Sequence, residues 1–176
     1  MRFSVFFGRT VIAFAATFVS SALLAAGSKE NNIETNNDDA NNTLNDVTQN
    51  VGPSGSRVEN VALGAAVDIP PGALAKNIDI KVGQLADPTL APLPAGLVAH
   101  SPIISYQPHN QTFALDVNIS IKHTGGERLD LRLLRAEPGT GWSEVAITER
   151  TASLVTRKSS TFSLCVVASP DGAPPG

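Results

Sequence analysis

A chain of 176 residues is one domain plus accessories by length, large enough to close a hydrophobic core without covalent staples. Its single cysteine, Cys165, excludes an internal disulfide and any zinc site built on cysteine clusters. The net charge is −3, and residues 56–176 carry ten Lys and Arg against eleven Asp and Glu. With no basic face to neutralise phosphates, nucleic acid is not an expected partner.

The chain begins with Arg2 and Arg9, an apolar run over 11–26, and the small residues Ala25, Ala26 and Gly27. That order of basic start, short apolar middle and small-residue exit predicts a secretory signal peptide over 1–27. The run is shorter than the roughly 20 residues a spanning helix needs, so no membrane insertion is expected once the leader is removed. Leu23-Leu24-Ala25-Ala26 approaches a bacterial lipoprotein cleavage site, but Gly27 stands where that site needs cysteine. The expected location is therefore extracytoplasmic: periplasmic, cell-surface or secreted.

Residues 28–55 change character, with eight asparagines scattered among acids and threonines. Too few apolar groups occur there to offset the entropy of ordering the chain, which predicts a disordered linker with a reach of about 30 Å. Beyond it the hydrophobic period becomes two. Phe113, Leu115, Val117, Ile119 and Ile121 alternate with polar or small residues, as in a strand with one wet face. Leu129, Leu131 and Leu133 form a second such run after Gly125-Gly126. Phe162, Leu164 and Val166 form a third, with Ser163 and Cys165 pointing the other way. Shorter strands are expected over 58–63, 65–69, 78–85, 103–106, 142–147 and 153–156.

Gly, Pro, Asn and Ser separate these segments, and no helix-period stretch of useful length follows residue 27. The pattern predicts an all-β, antiparallel β-sandwich over 56–168. Pro88, Pro92 and Pro94 stiffen the loop 86–100 and bar it from a central strand. A flexible Pro-rich tail is expected over 169–176.

One corner is distinctive. Val-Asp-Ile-Pro-Pro-Gly-Ala-Leu at 67–74 ends a strand at Ile69, because two prolines lack a backbone N–H, and turns at Gly72. Together with Ser101-Pro102, Gln107-Pro108-His109 leading to Phe113, Trp142 and Phe162-Ser163, it resembles the ZU5 domain over roughly 55–168. More narrowly, it resembles ZU5-like modules of secreted or surface bacterial proteins. The resemblance implies a β-sandwich that, in animal members, takes part in protein–protein contacts such as ankyrin binding to spectrin. Some members also cleave themselves at His-Phe-Ser, where the serine hydroxyl attacks the preceding carbonyl. The matching stretch here is Thr161-Phe162-Ser163, without the histidine base.

Ser163 is thus the one catalytic candidate, and a serine without an activating base is a poor nucleophile. Cys165 reads as a small inert hydrophobe in its apolar run. His100, His109 and His123 lack metal-ligand spacing and read as surface or turn residues. Asp87, Asp116, Glu127 and Asp130 fall at wet strand positions or in loops, without a calcium-loop motif or a carboxylate pair for glycoside hydrolysis. No metal or cofactor is expected. Trp142 and Tyr106, with Pro92 and Pro94 of the stiff loop, are the candidate binding residues. The expected function is non-catalytic: an interaction or structural module at the cell envelope or beyond it, with a protein as partner. A self-processing domain cleaving before Ser163 and a carbohydrate-binding module are the alternatives.

Overall fold

The computed structural model describes residues 42–172. The expected signal peptide, the first part of the expected linker and the last four residues of the tail lie outside them. Twelve strands are present among the described residues: β1 (Thr43–Val51), β2 (Ser56–Asn60), β3 (Ala65–Ile69), β4 (Ile78–Leu85), β5 (Leu97–Ala99), β6 (Ile104–Gln107), β7 (Thr112–Lys122), β8 (Arg132–Ala136), β9 (Ser143–Val145), β10 (Glu149–Arg150), β11 (Leu154–Thr161) and β12 (Leu164–Pro170). A seven-stranded sheet runs β1-β4-β6-β12-β8-β9, with β5 also on β12, and a five-stranded sheet runs β10-β11-β7-β3-β2. Every pairing is antiparallel.

The sheets face each other over a core that includes Val58, Val67, Ile80, Tyr106, Ile119 and Phe162, all essentially removed from water. This is the sandwich that period-two patterning leads to when each sheet must bury one face. Chain reversals without a long side-chain cost are set by glycine. Gly55 has φ +72°, and a Cβ there would stand 2.2 Å from the Ile69 carbonyl oxygen. The turn it makes interlocks with the Pro-Pro-Gly corner, whose Gly72 N–H donates to Pro53 O at 2.8 Å.

The structure corrects several expectations. The linker does not extend to residue 55, because Thr43–Val51 pairs with β4 along its length as the edge strand β1. Its side chains are mostly exposed, so it contributes few apolar residues and reads as a polar linker, while its backbone completes a ladder. The sandwich also continues to Pro170, two residues past the expected boundary.

The leucine run over 129–133 is not a strand at its start. The carbonyls of Arg128, Leu129 and Leu131 are taken by the Arg150 guanidinium, which leaves Leu129 82% exposed and delays β8 to Arg132. In β7, Leu115 is exposed rather than buried. Ser159 faces Val117 while Thr161 faces Thr112, so β7 carries extra residues there and its alternation slips.

The faces of β12 are also reversed from expectation. Cys165 and Val167 join Phe162 in the core between the sheets. Leu164, Val166 and Ala168 point to the outer face of the seven-stranded sheet, where Ala91, Leu93, Leu97, Ile103 and Trp142 cover them. Phe162 and Ser163 lie between the strands, at the crossing from one sheet to the other, and this break shifts the parity. The proline-rich segment 86–96, ahead of β5, is therefore a third layer, and β12 is buried on both faces, as its continuous apolar run requires.

Candidate functional site

The crossing Thr161-Phe162-Ser163 is held from two sides. On one side, Phe162 N–H donates to Gln111 O (3.3 Å), Asn110 N–H to Phe162 O (3.2 Å) and Tyr106 N–H to Ser163 O (3.2 Å). On the other is Arg135 of β8, whose backbone lies opposite Cys165. Its Nε donates to Ser163 Oγ at 2.9 Å, and its Nη2 donates to Thr161 Oγ1 at 3.0 Å and to the Glu137 carboxylate.

Ser163 is buried, not outward-facing, and so lies beyond the reach of an external substrate. Its hydroxyl contacts the Arg135 guanidinium and, at 3.9 Å, the Cys165 sulfur. A guanidinium does not accept a proton, and burial pushes the Cys165 thiol up, which keeps it protonated. Arg157 lies in the same polar pocket of charge, its pKa lowered by burial, with Nη2 donating to Ser159 Oγ at 3.2 Å. The nearest candidate base in the notation of the family, a histidine before Phe162, is replaced by Thr161, which here accepts from Arg135. The Ser163 hydroxyl is thus held as an acceptor of the Arg135 Nε–H.

Of the four candidate binding residues, the structure brings Trp142 and Pro92 together and separates Tyr106 from them. Tyr106 is fully buried, with its ring centroid 5.9 Å from that of Phe162 and its hydroxyl donating to Ser120 O at 3.2 Å. It is a core residue, because an alternating strand places it on the inner face beside Ile104. Trp142 is half-buried and donates its indole N–H to Ala91 O (3.2 Å) and Pro92 O (3.0 Å). The ring thereby pins the proline-rich layer to the sheet, while Pro92 and Pro94 remain exposed at its surface. Beside them is a recess of about 420 Å³, lined by Pro88, Ala91, Pro92, Leu93, Pro102 and Ile103 among others.

This arrangement disfavours a sugar platform. Among the described residues the aromatic side chains are Tyr106, Phe113, Trp142 and Phe162; three are buried and the fourth has its ring committed to the proline layer. Stacking on a sugar needs an open ring face.

His109 lies in the turn after β6, as expected, and each of the three histidines is at least partly buried. His109 is half-buried with Nε2 3.0 Å from Ser105 Oγ, and burial lowers its pKa. His123 is buried, and His100 Nε2 lies 2.9 Å from Ser169 Oγ. Asp87 accepts from Thr89 N–H and Oγ1 at the 3-10 turn Pro88–Leu90, and Asp130 pairs with Arg128 at 2.8 Å. Among the described residues, no group of three or more His, Cys, Asp or Glu could hold a metal ion. No helix among them is long and apolar enough to cross a membrane.

Sequence reasoning missed Arg135, Glu137 and Asn60. Asn60 is a buried amide at the end of β2 that donates to Val82 O (2.9 Å) and Asn45 O and accepts from Leu63 N–H (3.2 Å), tying one sheet to the edge of the other. The expected strand over 58–63 ran past it, whereas β2 ends at Asn60.

Two antiparallel sheets joined through interlocked proline turns define an all-β sandwich protein. The family model of the ZU5 domain matches residues 47–136, and the chain belongs to the ZU5 domain family. ZU5 domains are protein–protein interaction modules, and a protein partner for this one is consistent with that. The match begins inside β1, while β9 to β12 lie beyond its end. No curated protein matches the sequence.

Proposed function

We propose that this chain is a secreted or cell-envelope ZU5 module that holds a protein partner and performs no chemistry on it. The observation that carries the non-catalytic reading is the Arg135–Ser163 hydrogen bond: the one serine placed by family pattern for self-cleavage accepts from a guanidinium. Export is supported by the basic, apolar and small-residue order of residues 1–27. The contact surface in this reading is the proline-rich layer. Trp142 holds it in one conformation before any partner arrives, and a preformed surface loses little conformational entropy on binding. The partner contributes apolar side chains, since the neighbouring recess has no charged lining residue.

Two measurements on the full chain test this reading. Intact-mass spectrometry over days at neutral pH is expected to give no fragment beginning at Ser163; appearance of that fragment would replace the proposal with self-processing. Affinity capture from envelope extract is expected to yield a defined protein that is lost when residues 88–94 are exchanged for a Gly/Ser segment. Unchanged capture by that variant removes the proline-rich layer from the contact.

A further inference from the structure

His123 follows β7 directly and is only 6% exposed. Both ring nitrogens are committed. Nε2 faces the Thr151 carbonyl at 3.2 Å, and a carbonyl can only accept, so Nε2 carries the proton. Nδ1 accepts from the Gly125 N–H at 3.2 Å. The two bonds fix the neutral Nε2–H tautomer, and Nδ1 is the lone pair on which the next turn of the loop hangs.

Beyond this bond, the buried Leu131 side chain packs against Gly125. Thr124 is tied to His100 O through its N–H (2.9 Å) and Oγ1 (3.3 Å), and Arg150 binds the carbonyls farther along, at 128, 129 and 131. Between these anchors stand Gly125 and Gly126, with Gly126 at φ +63°. The surroundings of the imidazole are cationic or neutral. His100 packs over Gly125 from the segment after β5, and Arg150 approaches from β10. Both disfavour a positive charge on His123, while the loop carboxylate Asp130 is engaged by Arg128. Burial is the largest influence and lowers the pKa of His123, against the carbonyls of Thr151 and Leu154, which favour the proton.

We propose that His123 is an acid-sensitive latch: a proton on Nδ1 turns the acceptor of the Gly125 N–H into a donor and releases the Gly125-Gly126 turn between those anchors, which leads to the exposed Leu129. Two N–H groups cannot share one hydrogen bond, and Arg150 and His100 both disfavour the new charge, so the turn must move away or the ring must leave its site. Acid thereby loosens the turn beside the exposed Leu129 at this end of the sandwich, without unfolding the sheets.

The test is an NMR titration of the full chain from pH 8 to 4.5, reading the ring nitrogens of His123 and the hydrogen-exchange protection factor of the Gly125 amide. At the neutral end, Nδ1 is expected to be the unprotonated nitrogen. As His123 takes its proton, with a midpoint below 6.5, Gly125 protection should fall at least about tenfold with the same midpoint. His123→Gln, which keeps a neutral acceptor, should lose that pH dependence. The opposite tautomer at neutral pH, protection that stays level through the His123 titration, or a His123→Gln chain with the same transition would each overturn the latch. If His123→Gln does not fold, coincidence or separation of the two wild-type midpoints decides.

Discussion

Arg135 Nε stands 2.9 Å from Ser163 Oγ, and the same guanidinium reaches Thr161 Oγ1 and Glu137. One cation thus organises three oxygens around the crossing between the sheets. Removing it leaves a buried hydroxyl and a half-buried carboxylate without their donor, and the other Glu137 oxygen, Oε2, is already buried without a partner. Arg135→Ala is expected to destabilise the chain by about 1–3 kcal/mol, read from the urea midpoint. Ser163→Ala removes one acceptor and leaves the remaining bonds intact, so it should cost less than about 1 kcal/mol.

Asn60 provides the second prediction. Its amide joins β2 of one sheet to Val82 of β4 and to Asn45 of β1 in the other. Asn60→Ala strands the Val82 carbonyl in the interior, at a cost of about 2 kcal/mol. Because β1 is the edge strand, hydrogen exchange in 43–51 should accelerate more than in β7.

The two turn glycines Gly55 and Gly139 separate strain from collision. Both have positive φ, but a Cβ at Gly139 meets nothing within 4 Å whereas one at Gly55 strikes the Ile69 carbonyl. Gly139→Ala should therefore cost about 1 kcal/mol, and Gly55→Ala at least about 2 kcal/mol, with thermal melting as the readout.

Acid should weaken the fold through His109 as well as His123. Burial lowers the folded pKa of both, so the unfolded chain binds more protons just below the ordinary histidine value of 6.5. Stability from this source is complete above that value and is lost as the pH falls through the lowered folded pKa values. The melting temperature is expected to be level between pH 7 and 8 and to decline below about 6.5. His109→Gln should make the decline shallower; an unchanged decline would remove His109 from the linkage.

Much of the sandwich was legible because a strand with one wet face must alternate, as β4 does over 78–82 and β7 does over 117–119. What escaped depends on partners distant in sequence. The polar strand β1 carries no hydrophobic period, since its order comes from backbone pairing with β4. The leucines at 129–131 alternate, yet Arg150 takes their carbonyls from more than eighteen residues away. β12 was misread by one face because a sheet-to-sheet crossing at Phe162-Ser163 breaks the parity, and because its second cover is a proline segment with no strand pattern. At the candidate site, Ser163 was visible from the family motif, but the guanidinium that locks it was not, since Arg135 at a strand end looks like any solvated cation.

The most direct test places a photo-crosslinking residue at position 92 in the proline-rich layer, and in a second chain at position 59 of β2, on the other sheet. In envelope extract, a single protein adduct at position 92 and none at position 59 is the predicted result. An adduct at position 59 alone, or a chain cut before Ser163 in place of any adduct, contradicts the account.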